Sequence, residues 1–269
     1  MREKLKAKPI TYSIIFTIIL SLSWSISTSF MQNRLEHLEV QVLSLLISAT
    51  TVVFAALAIL LLGVINQTCG FKHVFKREGF AKGCFALLPV MAFFVLTLIN
   101  NSSGAMELKS GNLGLLPFIA LEEMTSAFVQ TVLFRGLLIS ALFLAQSNTE
   151  SERVRSVLKG AALFWVMYAL VGVLDSGSLP VMQLINTFIV SVGMCAAYLY
   201  SRNLLSLALV QGTWQSLGSA SELLFANGYG ERQMVPASAI VYIAILILIA
   251  ICAIRFSRRA EIFVVPTID

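Results

Sequence analysis

Apolar residues in this chain neither alternate nor recur at amphipathic spacing. They run on in long blocks, cut by short polar stretches. The blocks fall at about 11–30, 40–65, 83–100, 113–145, 158–174, 180–200, 203–225 and 237–255. A helix crossing the hydrocarbon core of a bilayer needs about 20 residues, so the pattern predicts an all-α bundle of eight membrane-spanning helices. The block at 113–145 is too long for one upright helix. Pro117 predicts a break near its start, with Leu113–Ala120 as a lead-in and the helix proper over about 121–145. Asn100–Asn112 has the composition of a turn, and Gln146–Lys159 is the most hydrophilic stretch and reads as a loop.

Composition narrows the class. Hydrophobic residues make up 58% of the chain and charged residues 12%, against about 25% charged in soluble domains. A polytopic membrane protein is expected, with the bilayer as its first partner. The net charge of +5 calls for no nucleic-acid partner, because the positions of the basic residues account for it. With eight spans and both termini in the cytoplasm, fifteen of the nineteen Lys and Arg residues fall in cytoplasmic segments. Only Arg34, Lys109 and Arg232 lie outside, and Arg135 lies within the membrane. That bias follows the positive-inside rule. The basic start, Met1–Lys8, and the apolar stretch after it have the form of a signal peptide, but an uncleaved first helix fits the later topology. The expected location is a cell membrane, specifically a bacterial plasma membrane, with residues 1–269 as one transmembrane domain. Four cysteines imply no disulfide framework. Cys69-x-x-x-His73 with Cys84 matches no standard zinc spacing, so no metal or other cofactor is expected.

The chemistry worth weighing sits inside the apolar blocks. Arg135 stands within the fourth, and a guanidinium at the bilayer centre costs about 2.5–3.5 kcal/mol on insertion scales, so it is seldom idle. Around it runs Gln130-Thr131-Val132-Leu133-Phe134-Arg135-Gly136. Later come Phe164-Trp165-Val166-Met167-Tyr168 and Gln211-Gly212-Thr213-Trp214-Gln215, the last preceded by Ser201-Arg202-Asn203-Leu204. In their order and spacing these stretches resemble the CPBP family, the CAAX-protease and bacteriocin-processing (Abi) intramembrane metalloproteases. The resemblance covers about residues 80–225 and implies a CPBP-like core there. The family signature is Glu-Glu-x-x-x-Arg, then Phe-x-x-x-His, then His-x-x-x-Asn/Asp. Here Gln130 and Thr131 stand at the glutamates, Tyr168 at the first histidine, and Gln211 and Gln215 at the last pair, while Phe134, Arg135, Gly136 and Phe164 remain.

These replacements remove the chemistry that the resemblance implies. A glutamate whose pKa is raised by burial takes a proton from water, whereas the amide of Gln130 is no base near neutral pH. Thr131 has a hydroxyl with no base beside it in the motif. Tyr168 is a poor zinc ligand unless ionised, and Gln211 offers only a neutral carbonyl. The two histidines, His37 and His73, fall in predicted loops on opposite sides of the membrane. No catalytic residue is therefore expected.

Acids do occur nearby. Glu123 precedes Gln130 by seven residues, Asp175 follows Tyr168 by seven and Glu222 follows Gln215 by seven. On regular helices each shares a face with its motif position, about 10 Å further out. With Glu122 they form a candidate acidic mouth over a neutral polar pocket, able to hold a cation or a basic segment; solvated acids at helix ends are the plainer reading. The expectation is a catalytically inactive CPBP-like pseudoprotease that binds, scaffolds or regulates a cell-envelope protein, in cell-wall metabolism or bacteriocin immunity. One alternative is an active endopeptidase using the displaced acids Glu122 and Glu123. Another is a small-molecule or lipid transporter. Arg135 itself is expected to order the bundle through a carbonyl, a tyrosine or water.

Overall fold

A computed structural model describes residues 9–65, 77–102, 110–142, 149–176, 181–224 and 236–260. Every regular element among them is helical. In chain order these are α1 (Pro9–Arg34), α2 (Val40–Ile65), α3 (Phe80–Ala86), α4 (Leu88–Ser102), a 3-10 turn (Ser110–Leu115), α5 (Leu116–Gln130), a π-helical segment (Thr131–Ile139), α6 (Glu150–Ser176), α7 (Val181–Ser201), α8 (Leu204–Leu224) and α9 (Pro236–Arg259). Large apolar side chains point outward along the peripheral helices, among them Ile26 and Phe30 on α1, Leu60 on α2 and Ile243 on α9. Lipid tails are as apolar as these side chains, so such faces suit a bilayer and would be a liability in water. The chain is a multi-pass membrane protein.

Among the described residues, length and apolar character alone identify fewer spans than the eight sequence blocks. Six of the described helices are long and apolar enough to cross a membrane, or seven when the bent pair α3–α4 counts as one. The expected further span, α8, has 21 residues but falls short in apolar character. Gln211, Thr213, Gln215 and its serines lower its hydropathy. The third block is not straight either: its two pieces meet at Leu87 with a bend of 52°. Pro89, without an N–H, sits just past the break.

Two boundaries also move. α5 begins at Leu116 rather than near 121, with Pro117 inside its first turn, where its missing N–H costs nothing. α6 begins at Glu150, well inside the stretch expected to be a loop. A reciprocal cap starts it: Thr149 N–H donates to Glu152 Oε2 at 2.9 Å, and Glu152 N–H donates to Thr149 Oγ1 at 3.2 Å.

The π segment lies at the centre. All nine of its residues are buried, and it touches α1, α2, α5, α6, α7 and α8. α5 and α8 form the most extensive helix pair, which Gly212 permits. A Cβ there would lie 2.5 Å from Met124 Sδ and 3.1 Å from Met124 Cα. The α7–α8 corner is equally constrained. Arg202 adopts a left-handed φ of 57°, and Asn203 caps α8 by accepting from Ser206 N–H at 2.8 Å. Gly79, at φ 79°, passes so close to this corner that a Cβ would fall 2.1 Å from the Ser201 carbonyl oxygen.

Candidate functional site: a neutral cavity around a buried arginine

In an α-helix a residue five positions on lies about 140° round the axis. Arg135 should then face away from Gln130. The π winding from Thr131 changes this, because bonding to the fifth residue brings positions five apart close to one face. A carbonyl of this segment is also engaged from outside: Thr17 of α1 donates to Leu133 O at 3.4 Å. Gln130 and Arg135 consequently line the same cavity of about 300 Å³.

Phe164 and Tyr168, one turn apart on α6, line it as well, as do Gln211 and Gln215 on α8. Six of the seven motif positions thus meet at one place. The seventh, Thr131, is fully buried elsewhere, and its hydroxyl has no partner. The other walls come from Phe93 and Phe94 on α4, Asn186, Thr187, Val190, Ser191 and Met194 on α7, and Trp214 on α8. Phe94 and Trp214 stack with centroids 4.5 Å apart and planes 4° from parallel. Trp165, the other mid-helix tryptophan, takes no part and donates its Nε1–H to Leu184 O at 2.8 Å.

The contribution of α7 was legible but unread. Asn186, Thr187 and Ser191 are polar residues inside an apolar block, and such residues face the bundle interior by default. The aromatic pair on α4 carries no comparable signal.

Part of this polar set is satisfied internally. Gln211 Nε2 donates to Gln130 Oε1, joining α8 to α5, and Gln183 Nε2 donates to the Tyr168 hydroxyl at 2.7 Å, joining α7 to α6. Three side-chain carbonyl oxygens, of Gln211, Gln215 and Asn186, are buried without a donor.

Arg135 is the extreme case. It is 1% exposed. Its Cζ sits 4.6 Å from the centroid of the Phe164 ring, and that ring is held edge-on by Phe134 at 4.9 Å. The Cys195 thiol faces the guanidinium as well. Nε and Nη1 are buried without an acceptor. Among the described residues, its neighbours are thus an aromatic face and a thiol. A desolvated cation–π contact contributes about 2 kcal/mol, whereas each buried donor without an acceptor costs about 1–3 kcal/mol. The ring offsets only part of the cost.

The acids go elsewhere. Ser44 of α2 donates to Glu122 Oε2, and Ser219 of α8 donates to Glu123 Oε1. The two adjacent carboxylates point to different helices, and neither lines the cavity. Asp175 falls in the last turns of α6 and Glu222 near the end of α8, but their side chains lie outside those described. Cys69 and His73 also lie outside the described residues. Among the described residues, no three His, Cys, Asp or Glu side chains come together.

Comparison of the chain with protein-family models, with curated proteins and with solved structures finds no match. The functional reading rests on the cavity.

Proposed function

We propose that the chain is a catalytically inactive relative of the CPBP intramembrane proteases, acting in a bacterial plasma membrane by holding or regulating a cell-envelope protein. The observation that carries this reading is the convergence of Gln130, Arg135, Phe164, Tyr168, Gln211 and Gln215 on one cavity. Residues of three separate helices that match a family signature in order are expected to meet if they descend from one active site. The side chains now found there do not run the ancestral chemistry. Amides and a phenol supply hydrogen bonds, and hydrogen bonds hold a ligand or a partner segment without cleaving it. The displaced-acid alternative gains no support from Glu122 and Glu123, which are bonded away from the cavity.

A photo-crosslinking residue at Gln183, beside Tyr168, tests this in native membranes. The expected product is one discrete adduct of an intact envelope protein, unaffected by Glu122→Gln or Glu123→Gln. A shortened, cleaved partner whose appearance requires either glutamate would overturn the proposal in favour of a working peptidase.

A further inference from the structure

The geometry points to a binding site for an anionic amphiphile in the cavity around Arg135, with the guanidinium taking a phosphate or carboxylate head. The inference does not depend on reading the scaffold as a pseudoprotease. Three observations lead to it. Arg135 is a fixed cation, 1% exposed, and its Nε and Nη1 have no acceptor. The planar guanidinium matches oxyanions in geometry and charge, and desolvation strengthens that match. No carboxylate among the described residues lines the cavity to neutralise it.

Next come Gln211, Gln215 and Asn186, three residues that line the same space and each carry a buried side-chain carbonyl without a donor. They call for donors, so the head should carry a hydroxyl or N–H close to its anionic oxygens. A bare halide or a fully esterified neutral lipid meets only half of this pattern. Last, much of the remaining wall is apolar: Phe93, Val190, Met194 and the stacked pair Phe94 and Trp214 line it alongside Thr187 and Ser191. A volume of about 300 Å³ is at the small end of ligand sites and takes a head group with a short length of stem. The head is thus a hydroxylated or amino-bearing oxyanion, carried on an apolar stem when drawn from the bilayer as a phospholipid and without one when drawn from water as a small organophosphate.

The test uses the full-length protein purified in a neutral detergent, with its thermal midpoint and Trp fluorescence followed against added dioleoyl phosphatidylglycerol, dioleoyl phosphatidylcholine, glycerol 3-phosphate or glycerol. At about one hundred times the dissociation constant, a bound ligand should raise the midpoint by about 5 °C or more. A rise with phosphatidylglycerol but not phosphatidylcholine supports a lipid source, and a rise with glycerol 3-phosphate but not glycerol supports a water-borne one. Arg135→Gln should abolish either response, and the surface control Arg258→Gln should keep it. If Arg135→Gln does not fold, Gln215→Leu serves instead, since it only removes a buried carbonyl that has no donor; it should weaken the response several-fold. Equal effects of the charged and neutral compounds, no shift with any of them, or an undiminished response in the folded variant would each overturn the inference.

Discussion

The two halves of one continuous helix treat charge in opposite ways. Over Leu116–Gln130 the winding is α, and both carboxylates, Glu122 and Glu123, accept a serine hydroxyl from a neighbouring helix. Over Thr131–Ile139 the winding is π, and the single cation, Arg135, is buried against a ring with two nitrogens lacking acceptors. Acid and base lie on the same helix without meeting. A helix under selection for stability alone would pair them or lose them, because replacing buried charges by apolar residues is often neutral or stabilising. The difference identifies the α half as support and the π half as the part kept for a ligand, consistent with the frequency of π segments at functional sites.

Arg135→Met breaks the comparison most directly. Anion binding should fall by a hundredfold or more, while the unfolding free energy stays level or rises by about 1–4 kcal/mol; titration and thermal unfolding of the same preparation read both. Loss of fold would instead make Arg135 a structural residue. Phe164→Leu should come next, removing the cation–π contact and costing about 2 kcal/mol in thermal unfolding. Gln130→Glu sharpens the comparison by placing a carboxylate in the arginine's own cavity. It should weaken anion binding about tenfold, equivalent to about 1.4 kcal/mol, and confer no peptidase activity on a model peptide. Glu123→Gln is the mildest. The amide still accepts from Ser219, so stability should change by about 1 kcal/mol or less and anion binding should not move.

Much of the architecture was legible from the apolar blocks, because bilayer thickness dictates their length and only helices satisfy the backbone within them. The exceptions have definable causes. The polar residues that make α8 useful at the cavity are the same ones that remove it from the set of apolar spans. The hydrophilic stretch before Lys159 hid two helical turns, although Thr149 and Glu152 stand at capping-box spacing. The motif positions were visible as a resemblance, and six of them share one cavity. The π winding that brings Arg135 to the face of Gln130 has no marker residue; the segment packs against five helices besides α5, which it continues. No sequence rule separates Glu122 from Glu123 in choice of partner.

The central claim is that Arg135 holds an anion and not the bundle. Native mass spectrometry of the protein extracted gently from membranes tests it in one comparison. The wild-type chain should retain an anionic amphiphile as a discrete mass adduct, and folded Arg135→Met should lose that adduct while keeping its nonspecific neutral lipids. The same anionic adduct at the same occupancy in both proteins would contradict the account.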